Sequence, residues 1–132
     1  MGPSGTVYAT DVDADLNAYV AERAKEEGLA NVEVVLAEYA DPKLPLAGID
    51  LLFTCNTYHH IEDRARYFAN AKKYLRPHGR VAIVEYKEGG WFLASHATPG
   101  ESIRSEMETA GYRLAQDFDF LPRQHFLVFS VD

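Results

Sequence analysis

Apolar and polar positions along this chain follow two rhythms: short apolar runs and stretches with helical spacing. Gly5 to Asp11 reads as a strand that ends on a carboxylate. Asp13 is placed to cap the helix that follows. Ala14 to Glu27 carries Leu16, Tyr19, Val20 and Ala24 on one face, and Gly28 stands where such a helix stops. Asn31 to Leu36 is a second strand. Ala37 to Ala47, with two prolines, reads as loop. Ile49 to Cys55 is a nearly unbroken apolar run, which predicts a strand buried on both faces of a parallel sheet. Ile61 to Leu75 repeats Ile61, Ala65, Phe68, Ala69, Lys72 and Leu75 at helical positions, and Arg76-Pro77-His78-Gly79 ends it. Arg80 to Glu85 is another apolar strand, and Lys87 to Gly90 a flexible loop. Pro99 to Ala110 is a third helix, with Gly111 at its end. Tyr112 to Phe120 and His125 to Val131 flank Leu121-Pro122-Arg123-Gln124 as a terminal antiparallel hairpin.

The order β-α-β-β-α-β-α-β-β implies an α/β fold with a mostly parallel sheet and antiparallel pairing at one edge. With 132 residues the chain is expected to form one domain, without internal repeat. A net charge of −7 argues against nucleic acid or an anionic membrane as the main partner. No apolar stretch approaches the roughly 18 residues needed to span a membrane, and the opening Met-Gly-Pro-Ser-Gly has no apolar leader segment. The single cysteine, Cys55, is expected as a small buried hydrophobe in a reducing, cytoplasmic setting.

Candidate chemistry gathers where the central apolar run stops. Asn56, Thr57, Tyr58, His59 and His60 follow Cys55 at the carboxyl end of a strand, where open α/β sheets bind ligands. Either they form a site wall, or they are a polar loop in which His59 caps the next helix. Glu85 ends the following strand at the same sheet edge, and pairs otherwise with Lys87 or water. Asp11 and Asp13 follow the first strand, and Asp13 is the better helix cap. Adjacent histidines rarely both ligate a metal. Neither a C-x-x-C nor an H-x-x-x-H companion is present, so no metal is expected. A G-x-S-x-G elbow is absent too.

Several motifs together carry a family likeness. They are Thr6 to Asp13, Val34 to Tyr39, Ile49 to Phe53 with His59-His60, Tyr74 to Arg80, and Glu106-Met107 with Ala110-Gly111-Tyr112. In this order and spacing the chain resembles the class I S-adenosylmethionine-dependent methyltransferases, near the ubiquinone/menaquinone-biosynthesis type. The resemblance implies a Rossmann-like sheet and methyl transfer from S-adenosylmethionine to a small molecule. It also implies roles. Asp11, with Val12 beside it, would receive the ribose hydroxyls. Glu38 and Tyr39 would border the adenine, and Asn56 and Thr57 would line the cofactor's far side. Tyr58, Glu85 and Trp91 would face the substrate, and His59 or His60 would act as general base. Trp91, Phe92 and Leu93 would form an aromatic lid, a packing cluster or an interface.

One departure is large. The family opens with a strand and a glycine-rich turn, and this chain has no G-x-G-x-x-G. The expected sheet therefore lacks its first strand and helix, which leaves strand edges near Val7 and Leu51 to be closed directly or by another chain. A homo-oligomer through those edges is expected. The alternatives are a non-catalytic remnant, a nucleoside-binding module, or half of an assembly whose partner supplies the glycine turn.

Overall fold

The computed structural model describes residues 2–89 and 96–132, which divide into two compact units, residues 1–45 and 46–132. The first unit holds β1 (Val7–Asp11), α1 (Ala14–Glu26) and β2 (Val32–Leu36). β1 and β2 pair in parallel, Val7 beside Val32 through Asp11 beside Leu36. Asp13 caps α1 as expected, its carboxylate accepting from the backbone N–H groups of Asp15 and Leu16. Gly28 follows the helix at φ +68°, a conformation glycine adopts without a side-chain penalty. Asn17 is buried and donates from Nδ2 to the carbonyls of Asp11 (3.0 Å) and Val35 (3.4 Å), which ties together the carboxyl ends of both strands.

The second unit holds β3 (Ile49–Cys55), α2 (Arg64–Ala71), β4 (Leu75–Tyr86), α3 (Gly100–Thr109), β5 (Arg113–Phe118) and β6 (Gln124–Ser130). One-turn 3-10 helices cover Tyr58–His60 and Lys72–Tyr74. The sheet order is β3-β4-β6-β5. β3 and β4 are parallel, while β6 runs antiparallel to both β4 and β5, so the terminal hairpin is formed. The core comprises Phe68, Val81, Ile83, Ile103, Met107, Tyr112, Leu127 and Phe129, all with almost no exposed surface. Each large apolar side chain buried in this way contributes about 1.5–3 kcal/mol. The Tyr112 hydroxyl finds its partner in the Phe68 carbonyl at 2.9 Å, and burial pushes its phenol well above the ordinary value.

Three expectations change. The strand β3 is not buried on both faces: Leu51 is 54% and Phe53 60% exposed, and Cys55 is exposed rather than packed. β3 pairs with β4 along one edge, and its other edge has no partner strand among the described residues. The second helix is shorter than its periodicity, because Asp63 caps it at Arg66 N and the last turn tightens into the 3-10 segment. The stretch Arg76 to Gly79 lies within β4 as an irregularity, across which Ile49 pairs with Leu75 and Leu51 with Arg80. A Cβ on Gly79 would stand 2.9 Å from the Arg76 carbonyl and 3.2 Å from that of Ile49, so only glycine fits there.

Candidate functional site

In the second unit the chain leaves β3 through Asn56, which adopts φ +53°, a left-handed turn that asparagine tolerates better than most residues. Its backbone N–H donates to Val84 O (2.8 Å), and its side-chain oxygen accepts from Gln124 Nε2 (3.3 Å). The Thr57 hydroxyl donates to Cys55 O (3.0 Å). These bonds set the start of the Tyr58–His60 turn.

Tyr58 is fully buried, stacked on Phe68, and its hydroxyl donates to Glu106 Oε2 at 2.7 Å. Arg64 grips the same carboxylate in a fork, Nε to Oε2 and Nη2 to Oε1, each at 2.7 Å, with its guanidinium 5.1 Å from the Tyr58 ring centre. Desolvation, reinforced by the bond to Glu106, drives the Tyr58 phenol far above its ordinary value. Burial alone would raise Glu106, but the bonds from Arg64 and Tyr58 outweigh it and hold the carboxyl below its usual range. The Tyr58 side chain is thus spent on packing, and this network pins the turn to α2 and α3.

Glu85, near the end of β4, has no exposed surface. It accepts three hydrogen bonds: the His59 backbone N–H at 2.9 Å, His59 Nδ1 at 2.9 Å and the Tyr86 backbone N–H at 2.8 Å. It therefore holds His59 in place. The carboxylate fixes the ring with Nδ1 as donor, which leaves Nε2 as the nitrogen with a free lone pair. The His59 side chain is 7% exposed, whereas His60 and His96 are exposed beside it. The ring centres of His59 and His60 lie 4.1 Å apart, those of His59 and His96 5.3 Å, and those of His60 and His96 6.0 Å.

Four further candidates, Asp11, Val12, Glu38 and Tyr39, belong to the first unit. Asp11 ends β1 with an exposed carboxylate, of which Oδ1 accepts from Asp13 N–H at 2.9 Å. Val12 beside it is 41% exposed. Glu38 and Asp41 exchange backbone hydrogen bonds, and the Glu38 carboxylate pairs with Lys43 at 3.1 Å. Tyr39 is 83% exposed. Trp91, Phe92 and Leu93 lie outside the described residues. Sequence reasoning did not place Asn17, Arg64, Glu106 or His96 in these arrangements. Asp11 with Asn17 and Tyr58 with Arg64, each six positions apart, are the pairs near enough in sequence to hint at contact.

The family model for a methyltransferase domain matches residues 1–83, the stretch that carries Asp11, Glu38 and the His59–His60 turn. The chain belongs to this methyltransferase family. Over 84 residues it is 31% identical to a nocamycin O-methyltransferase of Saccharothrix syringae, covering 64% of this chain and 30% of that protein. Over 116 residues it is 27% identical to phosphoethanolamine N-methyltransferase 1 of Triticum aestivum, covering 86% of this chain and 22% of that one. The chain thus spans less than a third of the length of these relatives. A solved S-adenosylmethionine-dependent methyltransferase from Aquifex aeolicus superposes with a TM-score of 0.90 at 23% identity, over 99% of this chain and 71% of that one. The methyltransferase CalH, solved with S-adenosylhomocysteine, superposes with a TM-score of 0.78 at 15% identity, over 96% of this chain and 43% of that one. The fold is the Rossmann-like α/β fold of class I methyltransferases. Among the described residues no helix is long and apolar enough to cross a membrane.

Proposed function

We propose that this chain is the core of an S-adenosylmethionine-dependent methyltransferase, working in the cytoplasm on a small acceptor that carries a hydroxyl or amine. The observation that supports it best is the family match over residues 1–83, which takes in His59 at the carboxyl edge of the sheet, the ring that buried Glu85 holds.

The Asp11 carboxylate suits a ribose diol. It is exposed at the end of β1, and with only Oδ1 engaged by Asp13 it retains acceptor capacity. Glu38 and Tyr39 are assigned to the adenine, and Asn56 and Thr57 to the cofactor's far side. The cofactor, when bound, supplies an electrophilic methyl group on a sulfonium. His59 Nε2 receives the proton that the acceptor oxygen or nitrogen gives up as it forms its new bond to carbon. Glu85 stabilises the resulting imidazolium and keeps the ring from turning. Methyl transfer otherwise needs mainly positioning and exclusion of water.

A second reading rests on the edges of β1 and β3 that have no partner strand among the described residues, and on the exposed Leu51 and Phe53. On it, cofactor binding needs a further segment or a second copy to complete the sheet. Calorimetric titration with S-adenosylmethionine and S-adenosylhomocysteine, with solution mass recorded on the same sample, tests both. Micromolar binding supports the methyltransferase reading. No binding up to millimolar cofactor refutes it for this chain alone. A stable monomer that binds excludes completion by a second copy.

A further inference from the structure

The sequence spacing of the histidines points away from a metal, yet the fold brings three of them together. His59 and His60 share a one-turn helix whose tight winding brings adjacent rings within 4.1 Å, and His96, 36 positions further on, closes against both. One ligating nitrogen from each of the three lies within 4.8 Å of the others. The geometry points to a binding site for a borderline divalent cation, Zn²⁺ above all, made by His59, His60 and His96.

The chemistry is consistent at each step. Three imidazoles are a donor set that suits zinc, copper or nickel and leaves a coordination position for water. Zn–N bonds are about 2.0–2.1 Å, so tetrahedral donors stand roughly 3.4 Å apart. The observed spacing has to tighten by about an ångström, and two of the three side chains are exposed and free of the core, so rotation about their side-chain bonds suffices. The third is already oriented in the way metal-bound histidines usually are. Glu85 engages Nδ1 at 2.9 Å and leaves Nε2 as the ring's other donor atom, the carboxylate–histidine–metal arrangement that fixes the tautomer and raises ligand basicity. The carboxyl group is wholly buried, so water does not compete for its bond to the ring. Binding stands independently of methyl transfer. If His59 is also the base proposed above, cation and proton compete for the same Nε2, and occupancy silences the enzyme.

The test uses tag-free protein, titrated with Zn²⁺ by calorimetry and with Co²⁺ by visible absorption. The expected result is one ion per chain at micromolar affinity or tighter, with the d–d absorption of nitrogen-ligated tetrahedral cobalt. His60→Ala and His96→Ala should each weaken binding by at least about tenfold, and Glu85→Gln by about 10–100-fold. His78→Ala, at an exposed histidine paired with Asp132, should leave it unchanged. If the wild type binds Zn²⁺ no more tightly than the His60→Ala/His96→Ala double variant, the site does not exist. Because both substituted residues are exposed, loss of fold does not explain a negative result.

Discussion

Glu106→Gln is the most informative single change, because it removes one charge and keeps the shape of the side chain. The wild-type carboxylate receives three bonds at 2.7 Å, two from Arg64 and one from Tyr58. A glutamine offers one acceptor oxygen and turns an NH2 group towards a donor, so at least one charge-assisted bond is lost. Such a bond contributes about 1.5–3 kcal/mol. Arg64 and Glu106 remain 25% and 29% exposed, so water recovers part of the loss. The expected cost is about 2 kcal/mol, against a total stability of roughly 5–15 kcal/mol. For a domain of this size that is a fall of about 4–10 °C in Tm. The sign with pH follows from the lowered carboxyl. Glu106 stabilises the fold above its unfolded value, and that stabilisation is lost as pH falls through its depressed folded value. The gap between wild type and variant should therefore be full at neutral pH and shrink below the ordinary carboxyl value of 4.5. Urea unfolding followed by circular dichroism, repeated along a pH series, measures both. Should the variant unfold within about 0.5 kcal/mol of wild type at neutral pH, the network does not hold the histidine turn in place.

Further outcomes are expected. Tyr58→Phe should cost about 1 kcal/mol, and combined with Glu106→Gln less than the sum of the two, since both act on one network; a double-mutant cycle reads the coupling. His59→Gln should lower kcat by about 10²–10⁴-fold with little change in KM for the acceptor, read as S-adenosylhomocysteine formation. Asp11→Asn should weaken S-adenosylmethionine binding about tenfold in calorimetry, through loss of a charged acceptor for the diol. Gly79→Ala should cost about 1–3 kcal/mol in urea unfolding, because its Cβ would meet the Arg76 carbonyl at 2.9 Å.

The order of elements was legible in the sequence, since periodicity and helix-end residues depend on neighbours a few positions apart. Asp13, Gly28 and Gly111 stand where the helix ends require them, Gly111 at φ +84°. The strand β3 misled because an apolar run records what a strand is able to bury, not what covers it. Leu51, Phe53 and Cys55 are apolar and yet exposed. The site was legible as a place and not as a set of contacts. Nothing near Tyr58 in the sequence shows that its hydroxyl meets Glu106, 48 positions away, or that Glu85 meets His59, 26 positions away. Glu85 was expected at the same sheet edge near Lys87 or water, and it is there, buried and bonded to His59. His96 joined the pair only through tertiary folding, which spacing rules for metal motifs do not see.

The backbone amide of His59 donates to a carboxylate buried in the middle strands of the sheet. Short surface turns ordinarily exchange their amide hydrogens with solvent rapidly, through small local openings. This one opens less readily, because releasing the amide takes one of three donors from a carboxylate that water does not reach, at a cost of about 1–3 kcal/mol. Its exchange should therefore keep time with β4, while the neighbouring His60 amide, bonded to Thr57 O within the turn, exchanges on the faster schedule of a turn. Two adjacent residues of one helical turn would then belong to different dynamic units, one rigid with the sheet and one free to adjust to whatever binds.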